Sequence, residues 1–270
     1  MNAFDKLNLK NQDGKFICIG LDTDIDKLPA CLKDANNPVL EFNKAIIEKC
    51  SGYAAAYKLN FAFYERGGYE GIQTLQETIA AIPDDILIIA DAKRGDIGNT
   101  SLMYSEAILN NMNFDSLTVN PYMGYDSVAP FINNPEKLIF ILALTSNPGA
   151  ADFEKQKLEN GLCLYQLVIE KVNQWNINRN CGIVFGATKL EELYENMTRI
   201  GELPVLLPGV GAQGGSLEDV LKTFKIFGRR HFLINVSRGI IYKSSRNDFA
   251  GAALNEIVSL NESARLLLND

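Results

Sequence analysis

The chain predicts an α/β protein built as a single closed (β/α)8 barrel, the TIM-barrel class, and three observations carry that expectation. Short β-branched apolar runs alternate with longer amphipathic stretches along the whole length, the sign of a parallel sheet wrapped by helices. Eight such pairs fit into the chain, about the number and spacing that one barrel of roughly 250 residues needs. Polar residues fall repeatedly at the ends of the apolar runs, on the rim where barrels of this kind carry their sites. With 270 residues, 47% of them hydrophobic, one domain over 1–270 is expected, and no low-complexity linker divides it. An open doubly wound sheet is the alternative, but the G-x-G-x-x-G expected after an early strand is absent.

The first strand is expected over 16–21, ending at Asp22, with a helix over Pro38–Cys50 beyond a loop containing Pro29. A second strand over 53–59 carries Lys58 near its end and is followed by a helix over 69–81. The third begins at Ile86 and runs into Asp91, and its helix starts near Asn99 or Thr100. Strand four is Ser116–Val119 and closes in Asn120-Pro121-Tyr122. Strand five, Leu138–Leu144, ends in Thr145-Ser146-Asn147 and leads into an exposed loop over 150–159, before a helix over 162–175. Strand six covers 182–186, with a helix over Leu190–Ile200. Strand seven covers 204–207, runs into a glycine-rich loop from Pro208 to Gly215, and is followed by a helix over 217–227. Strand eight, Phe232–Val236, ends in Ser237-Arg238-Gly239, and a last helix covers 248–268. Asp22, Lys58, Asp91, Lys93, Ser146, Gln213 and Arg238 thus gather on one predicted rim.

The third strand holds the densest charge. Side chains alternate along an extended chain, so Asp91 and Lys93 share a face. Gly95 and Gly98 flank Asp96 and let the backbone turn that second carboxylate back toward the lysine. Taking such charges out of water costs several kcal/mol per ion unless they are paired. A salt bridge that merely holds a strand end is the plain alternative. A Schiff-base lysine needs a depressed pKa, whereas two adjacent carboxylates favour the ammonium, so Lys93 is expected to be a proton donor. A magnesium site on Asp91 and Asp96 stays possible, with Lys93 competing for the same carboxylates.

The loop from Gly209 to Gly215 offers backbone N–H groups to an anion. Arg238, one strand later, can clamp phosphate oxygens bidentately, with Gln213 donating a further hydrogen bond. Asp22 and Lys58 suit the hydroxyls of a sugar. The one histidine, His231, opens strand eight among apolar neighbours, so Ser-His-Asp and Cys-His catalysis have no second candidate. A net charge of −7 with no basic run argues against nucleic-acid and anionic-membrane partners. Five widely spaced cysteines (Cys18, Cys31, Cys50, Cys163, Cys181) without C-x-x-C read as thiols of a reducing compartment. The polar start, 1–11, has no signal-peptide core, so a cytoplasmic protein is expected.

Asp91-x-Lys93-x-x-Asp96-Ile97-x-x-Thr100 resembles the signature of the orotidine 5'-phosphate decarboxylase family. The similarity extends from Gly20-Leu21-Asp22 through Tyr57-Lys58 and Thr118-Val119-Asn120-Pro121-Tyr122 to Pro208-Gly209-Val210-Gly211-Ala212-Gln213-Gly214. The length and the Leu144-to-Gly149 segment are similar to the longer bacterial members. The resemblance implies a homodimer with shared sites that turns orotidine 5'-phosphate into UMP without metal or organic cofactor. It implies that Asp91, Lys93 and Asp96 form the charged network, with Asp96 and Thr100 lent by the partner subunit and Ile97 among the substrate-binding residues. It further implies that Lys93 protonates C6, that Asp22 and Lys58 hold the ribose and Ser146 the pyrimidine, that Gln213 and Arg238 hold the phosphate, and that Pro208 also binds substrate. A related sugar-phosphate synthase on the same scaffold and a non-catalytic nucleotide sensor are the competing readings.

Overall fold

The computed structural model describes residues 1–211 and 214–269, and its strands close into an all-parallel barrel in sequence order, β8 pairing back onto β1. The strands are β1 (Ile17–Gly20), β2 (Ala56–Asn60), β3 (Leu87–Arg94), β4 (Ser116–Val119), β5 (Leu138–Leu144), β6 (Cys181–Phe185), β7 (Val205–Pro208) and β8 (Phe232–Val236). Helices α1 (Ala3–Gln12), α2 (Pro38–Cys50), α3 (Phe61–Glu65), α4 (Gly68–Ala80), α5 (Gly98–Ser105) and α6 (Tyr125–Ile132) belong to the first half. The second half adds α7 (Leu164–Trp175), α8 (Leu190–Ile200), α9 (Leu217–Ile226), α10 (Arg238–Ile241) and α11 (Phe249–Asn269).

Because side chains alternate across a strand, each strand divides its apolar residues between two cores. Cys18, Ala56, Leu87, Ile89, Leu138, Phe140, Val184, Leu206 and Leu233 pack together inside the barrel. Their neighbours Ile17, Ile19, Tyr57, Ile88, Ala90, Ile139 and Ile141 join the larger cluster between strands and helices. Gly182 is required by this stacking, since a Cβ there would lie 2.8 Å from the Phe140 ring. The parity set in the apolar layers decides which way the next residues point: two positions beyond Ala56 and Ile89, Lys58 and Asp91 face the same interior.

The polar start of the chain, for which the sequence offered no element, forms α1. Asn2 caps it by accepting a hydrogen bond from the Asp5 N–H at 2.8 Å. Its apolar side is narrow, but Ala3 and Leu7 are fully buried against the inner core and close the N-terminal end of the barrel. Ion pairs from Lys6 to Asp115 (2.9 Å) and from Lys10 to Asp85 (2.5 Å) fasten it there. Helix α1 is thus specified by its docking site rather than by its own periodicity.

Two other boundaries differ from expectation. The Ala54 N–H bonds the Cys50 carbonyl, so residues 53–54 finish the last turn of α2 and β2 starts later. The segment after β5 is folded back on itself. Lys155 N–H bonds the Ala150 carbonyl and Tyr165 N–H the Glu154 carbonyl, while Glu154 accepts from Thr145 N–H at 2.7 Å. Leu7→Ala is expected to lower the unfolding free energy in urea by about 2–5 kcal/mol, as for other fully buried leucines. Exposed Leu9→Ala, on the same helix, should change it by less than about 0.5 kcal/mol. Equal effects would refute the plugging role of α1.

Candidate active site

At the C-terminal mouth of the barrel the inward parity places Asp22 just past β1, Lys58 on β2, Asp91 on β3 and Thr118 on β4. These residues meet. Lys58 Nζ donates to Asp91 Oδ2 at 2.8 Å, and Lys93 Nζ donates to Asp91 Oδ1 at 2.6 Å. Asp22 Oδ1 stands 3.6 Å from Lys58 Nζ, extending the row of alternating charges to β1. The side chains of Lys58 and Asp91 are 4% and 11% exposed, whereas that of Lys93 is 50% exposed at the open end.

Burial alone would push the Asp91 carboxyl up, but the charges and hydrogen bonds of Lys58 and Lys93 outweigh it and hold Asp91 well below the usual carboxylate range. Burial likewise works against the Lys58 ammonium. Asp22 and Asp91 overcome it and raise Lys58 above the usual lysine value. Both groups are therefore charged across the neutral range.

Alternation alone does not bring Lys93 to Asp91. The β3–β4 ladder pairs Ala90 with Leu117 and then Arg94 with Val119, so Asp91, Ala92 and Lys93 stand opposite Thr118 alone. This is a bulge, and within it Lys93 takes a left-handed backbone, with φ of +47°. Thr118 Oγ1 accepts from the Lys93 N–H at 3.0 Å and lies 3.2 Å from Asp91 Oδ1. Within one chain the charged groups thus form an Asp22-Lys58-Asp91-Lys93 row. Lys58 was expected only as a sugar ligand. Its strand-end position was legible in the sequence, but its pairing with Asp91 required the barrel's register.

Asp96 does not fold back onto Lys93 as its flanking glycines had suggested. Among the described residues no ion pair joins the two, and Asp96 Oδ1 accepts instead from the Ile97 N–H at 2.8 Å. The Ser101 hydroxyl ties this turn to α5 and to α6, bonding the backbone of Asp96 and the Ser127 carbonyl. Gly95 packs so closely on the Asn120 carbonyl that a Cβ would come within 2.8 Å of it. The turn is therefore held outward, and Ile97 and Thr100 lie exposed at the start of α5.

Of the other predicted residues, those that are described lie around the same mouth. Ser146 follows β5 and packs its backbone on Gly186, where a Cβ would meet it at 2.8 Å. Pro208 ends β7 and pairs with Asn235 of the adjacent β8, after which exposed Arg238 begins α10. Gln213 lies outside the described residues. In the loop between β7 and α9, Gly209, Gly211 and Gly214 have φ of +104°, +76° and +90°, values that side chains other than glycine rarely adopt. Asp22 Oδ1, Asn235 Oδ1 and Ser237 Oγ are buried without a hydrogen-bond partner among the described residues. Buried polar atoms normally find partners, so these orphans at the ends of β1 and β8 suit a ligand or water. Asn235 and Ser237 carried no sequence signal beyond being polar near a strand end. His231 sits at the opposite end of the barrel, beside Asn8 and the Phe4 ring, where burial depresses its pKa.

Comparison with known proteins bears on what this mouth is for. Residues 15–252 match the family described as Orotidine 5'-phosphate decarboxylase / HUMPS. The chain belongs to that family. It is 50% identical over 249 residues to the orotidine 5'-phosphate decarboxylase of Christiangramia forsetii, covering 91% of this chain and 90% of that one. Identity to the enzyme of the same name from Flavobacterium johnsoniae is 45% over 254 residues, 93% and 92% of the two chains. Among solved structures, UMP synthase from Leishmania donovani superposes with a TM-score of 0.84 at 37% identity. The match covers 97% of this chain and 57% of that longer one. OMP decarboxylase from the same organism gives 0.81 at 35% identity over 97% and 99%. The family match begins just before β1 and ends within α11, so it contains the whole charged row and leaves α1 outside.

Because the Asp91 pKa is depressed by folding, its contribution to stability is complete above the ordinary carboxylate value of about 4 and is lost as pH falls toward the folded value. Unfolding free energy measured in urea should therefore decline from pH 5 to pH 3. Asp91→Asn is expected to make that decline shallower without abolishing it, since Asp85 and Glu192 are also held low by lysines. Parallel pH curves for the two proteins would refute the assignment.

Proposed function

We propose that the chain decarboxylates orotidine 5'-phosphate to UMP, with Lys93 as the proton donor and no metal or organic cofactor. The observation that carries this reading is the Asp91 carboxylate held between the Lys58 and Lys93 ammoniums inside a barrel mouth, in a chain whose relatives bear that enzyme's name. When the bond from C6 to the carboxylate breaks, its electron pair stays on C6 in the plane of the ring, out of reach of the π-system. Stabilisation must then come from fixed charge nearby, and the Lys93 ammonium supplies it and delivers its proton to C6 as carbon dioxide leaves. The substrate carboxylate, set beside Asp91, is repelled, and the repulsion eases as charge moves toward the lysine. Lys93 is left neutral and regains its proton from water at its exposed end.

The remaining contacts follow the same mouth. Asp22 and Lys58 hold the ribose, Ser146 the pyrimidine, and Pro208, Gln213, Arg238 and the glycine-rich loop the phosphate. Both oxygens of Asp91 are already engaged by ammoniums, whose charge works against a divalent cation there. Asp96, Ile97 and Thr100 complete the site of a second copy of the chain. Supporting this, Ile97 at the end of the outward-held turn is 61% exposed, and Leu102, Met103 and Tyr104 of the following α5 are exposed too. The cysteine usage supports a cytoplasmic setting, and among the described residues no helix is long and apolar enough to cross a membrane.

The direct test follows pyrimidine absorbance on mixing the pure protein with orotidine 5'-phosphate in chelator. Turnover is expected; activity seen only after adding magnesium, and only on a sugar phosphate, would favour the other half of the family name. UMP binding without turnover would mark a sensor. Lys93→Ala should lower kcat by at least about 1,000-fold while UMP still binds, within the range of general-acid losses. Wild-type-like turnover would remove Lys93 from the chemistry.

Shared sites predict complementation. Lys93→Ala and Asp96→Ala chains, each inactive alone, should regain about one quarter of wild-type activity when unfolded and refolded together, because half the dimers carry one intact site. No recovery, with mixed dimers verified, would place Asp96 in its own chain's site.

A further inference from the structure

The bulge that carries Lys93 is pinned on either side by regular structure. Ala90 pairs with Leu117 before it, and after it the Asn120 N–H bonds the Arg94 carbonyl at 2.8 Å while Gly95 seats on the Asn120 backbone. Between these points three residues of β3 face a single residue of β4, so the ladder has no backbone acceptor to offer in register. Thr118 meets that need with its side chain. It is 2% exposed, and its Oγ1 takes the Lys93 N–H at 3.0 Å. An amide N–H can only donate, so the hydroxyl oxygen is the acceptor there, and its own single proton is left for Asp91 Oδ1 at 3.2 Å. One buried hydroxyl thus ties together the backbone of the proton donor and the carboxylate that pairs with its ammonium.

We infer that Thr118 is a positioning residue: its hydroxyl holds the left-handed backbone of Lys93 and the Oδ1 of Asp91 in the arrangement that aims the Lys93 ammonium into the barrel mouth. A lysine gains nothing intrinsically from φ near +47°, where its Cβ crowds the backbone. Such a conformation persists where its surroundings over-determine it. Relaxation of Lys93 toward an ordinary strand conformation would swing its side chain off Asp91, whereas Lys58 on β2 and Asp22 just past β1 would stay where they are. The predicted loss is therefore in the chemical step and not in binding. This inference rests on the decarboxylase reading, in which Lys93 delivers the proton.

The test compares Thr118→Val, which keeps the shape and removes the hydroxyl, with Thr118→Ser, which keeps the hydroxyl. Thr118→Val is expected to lower kcat by about 10- to 100-fold, the scale of a misplaced catalytic group, with KM and UMP affinity within about threefold of wild type. Thr118→Ser should hold kcat within about threefold of wild type by the same measure. Should the valine variant fail to fold, Thr118→Cys takes its place, its thiol being a poor hydrogen-bonding partner, with a kcat below that of Thr118→Ser expected. Wild-type kcat in Thr118→Val or Thr118→Cys, a loss confined to KM, or a serine variant as slow as the valine one would overturn the inference. A wild-type protein without decarboxylase activity would instead overturn the reading on which it rests.

Discussion

The Asp91 carboxylate, gripped from both sides by ammonium groups, is the interaction on which the mouth of this barrel depends. Lys58 is almost wholly removed from water, and a buried lysine without an anion beside it costs several kcal/mol. Lys58 can be charged there only if β1, β2 and β3 lie in a register that brings Asp22 and Asp91 to it. The observed pairing of Gly20 with Lys58 and of Asn60 with Asp91 does so. A slip by one residue would turn every inward side chain outward, stranding the lysine and both carboxylates at once. The charges and the apolar layers beneath them therefore select the same register, one by penalty and the other by packing.

Much of this was legible in the sequence because period-two alternation is rigid. Once Ile89 faces inward, Asp91 must too, and the same holds for Ala56 and Lys58. The strand-helix alternation likewise gave every strand to within a few residues, and β4, β5 and β8 at their observed bounds. What could not be read arises where the period breaks. The bulge between Ala90 and Arg94 leaves no mark in residue types, since lysine is a poor choice for a left-handed position and gives no hint of one. The direction of the Asp96 turn was hidden for a related reason: flanking glycines permit a turn either way, and the Ser101 bonds that choose the outward one are made across the fold. Helix α1 was invisible because two small apolar contacts, at Ala3 and Leu7, decide it.

The barrel divides its labour by end. At the N-terminal end, α1 and the ion pairs of Lys6 and Lys10 seal the core, and His231 rests there away from the charged row. At the other end buried polar atoms have no hydrogen-bond partner among the described residues, the backbone of Lys93 is strained, and Gly209, Gly211 and Gly214 take conformations that other residues rarely adopt. The strained and unpartnered groups at this end lie where a ligand can use them, and the packed layers below absorb their cost.

The plug formed by α1 also governs traffic. Side chains from Cys18 to Leu233 fill the interior and Ala3 and Leu7 stop its far end, so the barrel is a cup and not a pipe. A molecule taken in at the mouth, and any fragment split from it, must leave by the same opening. Entry and exit therefore share one doorway at the C-terminal ends of the strands, and a molecule still seated there excludes the next.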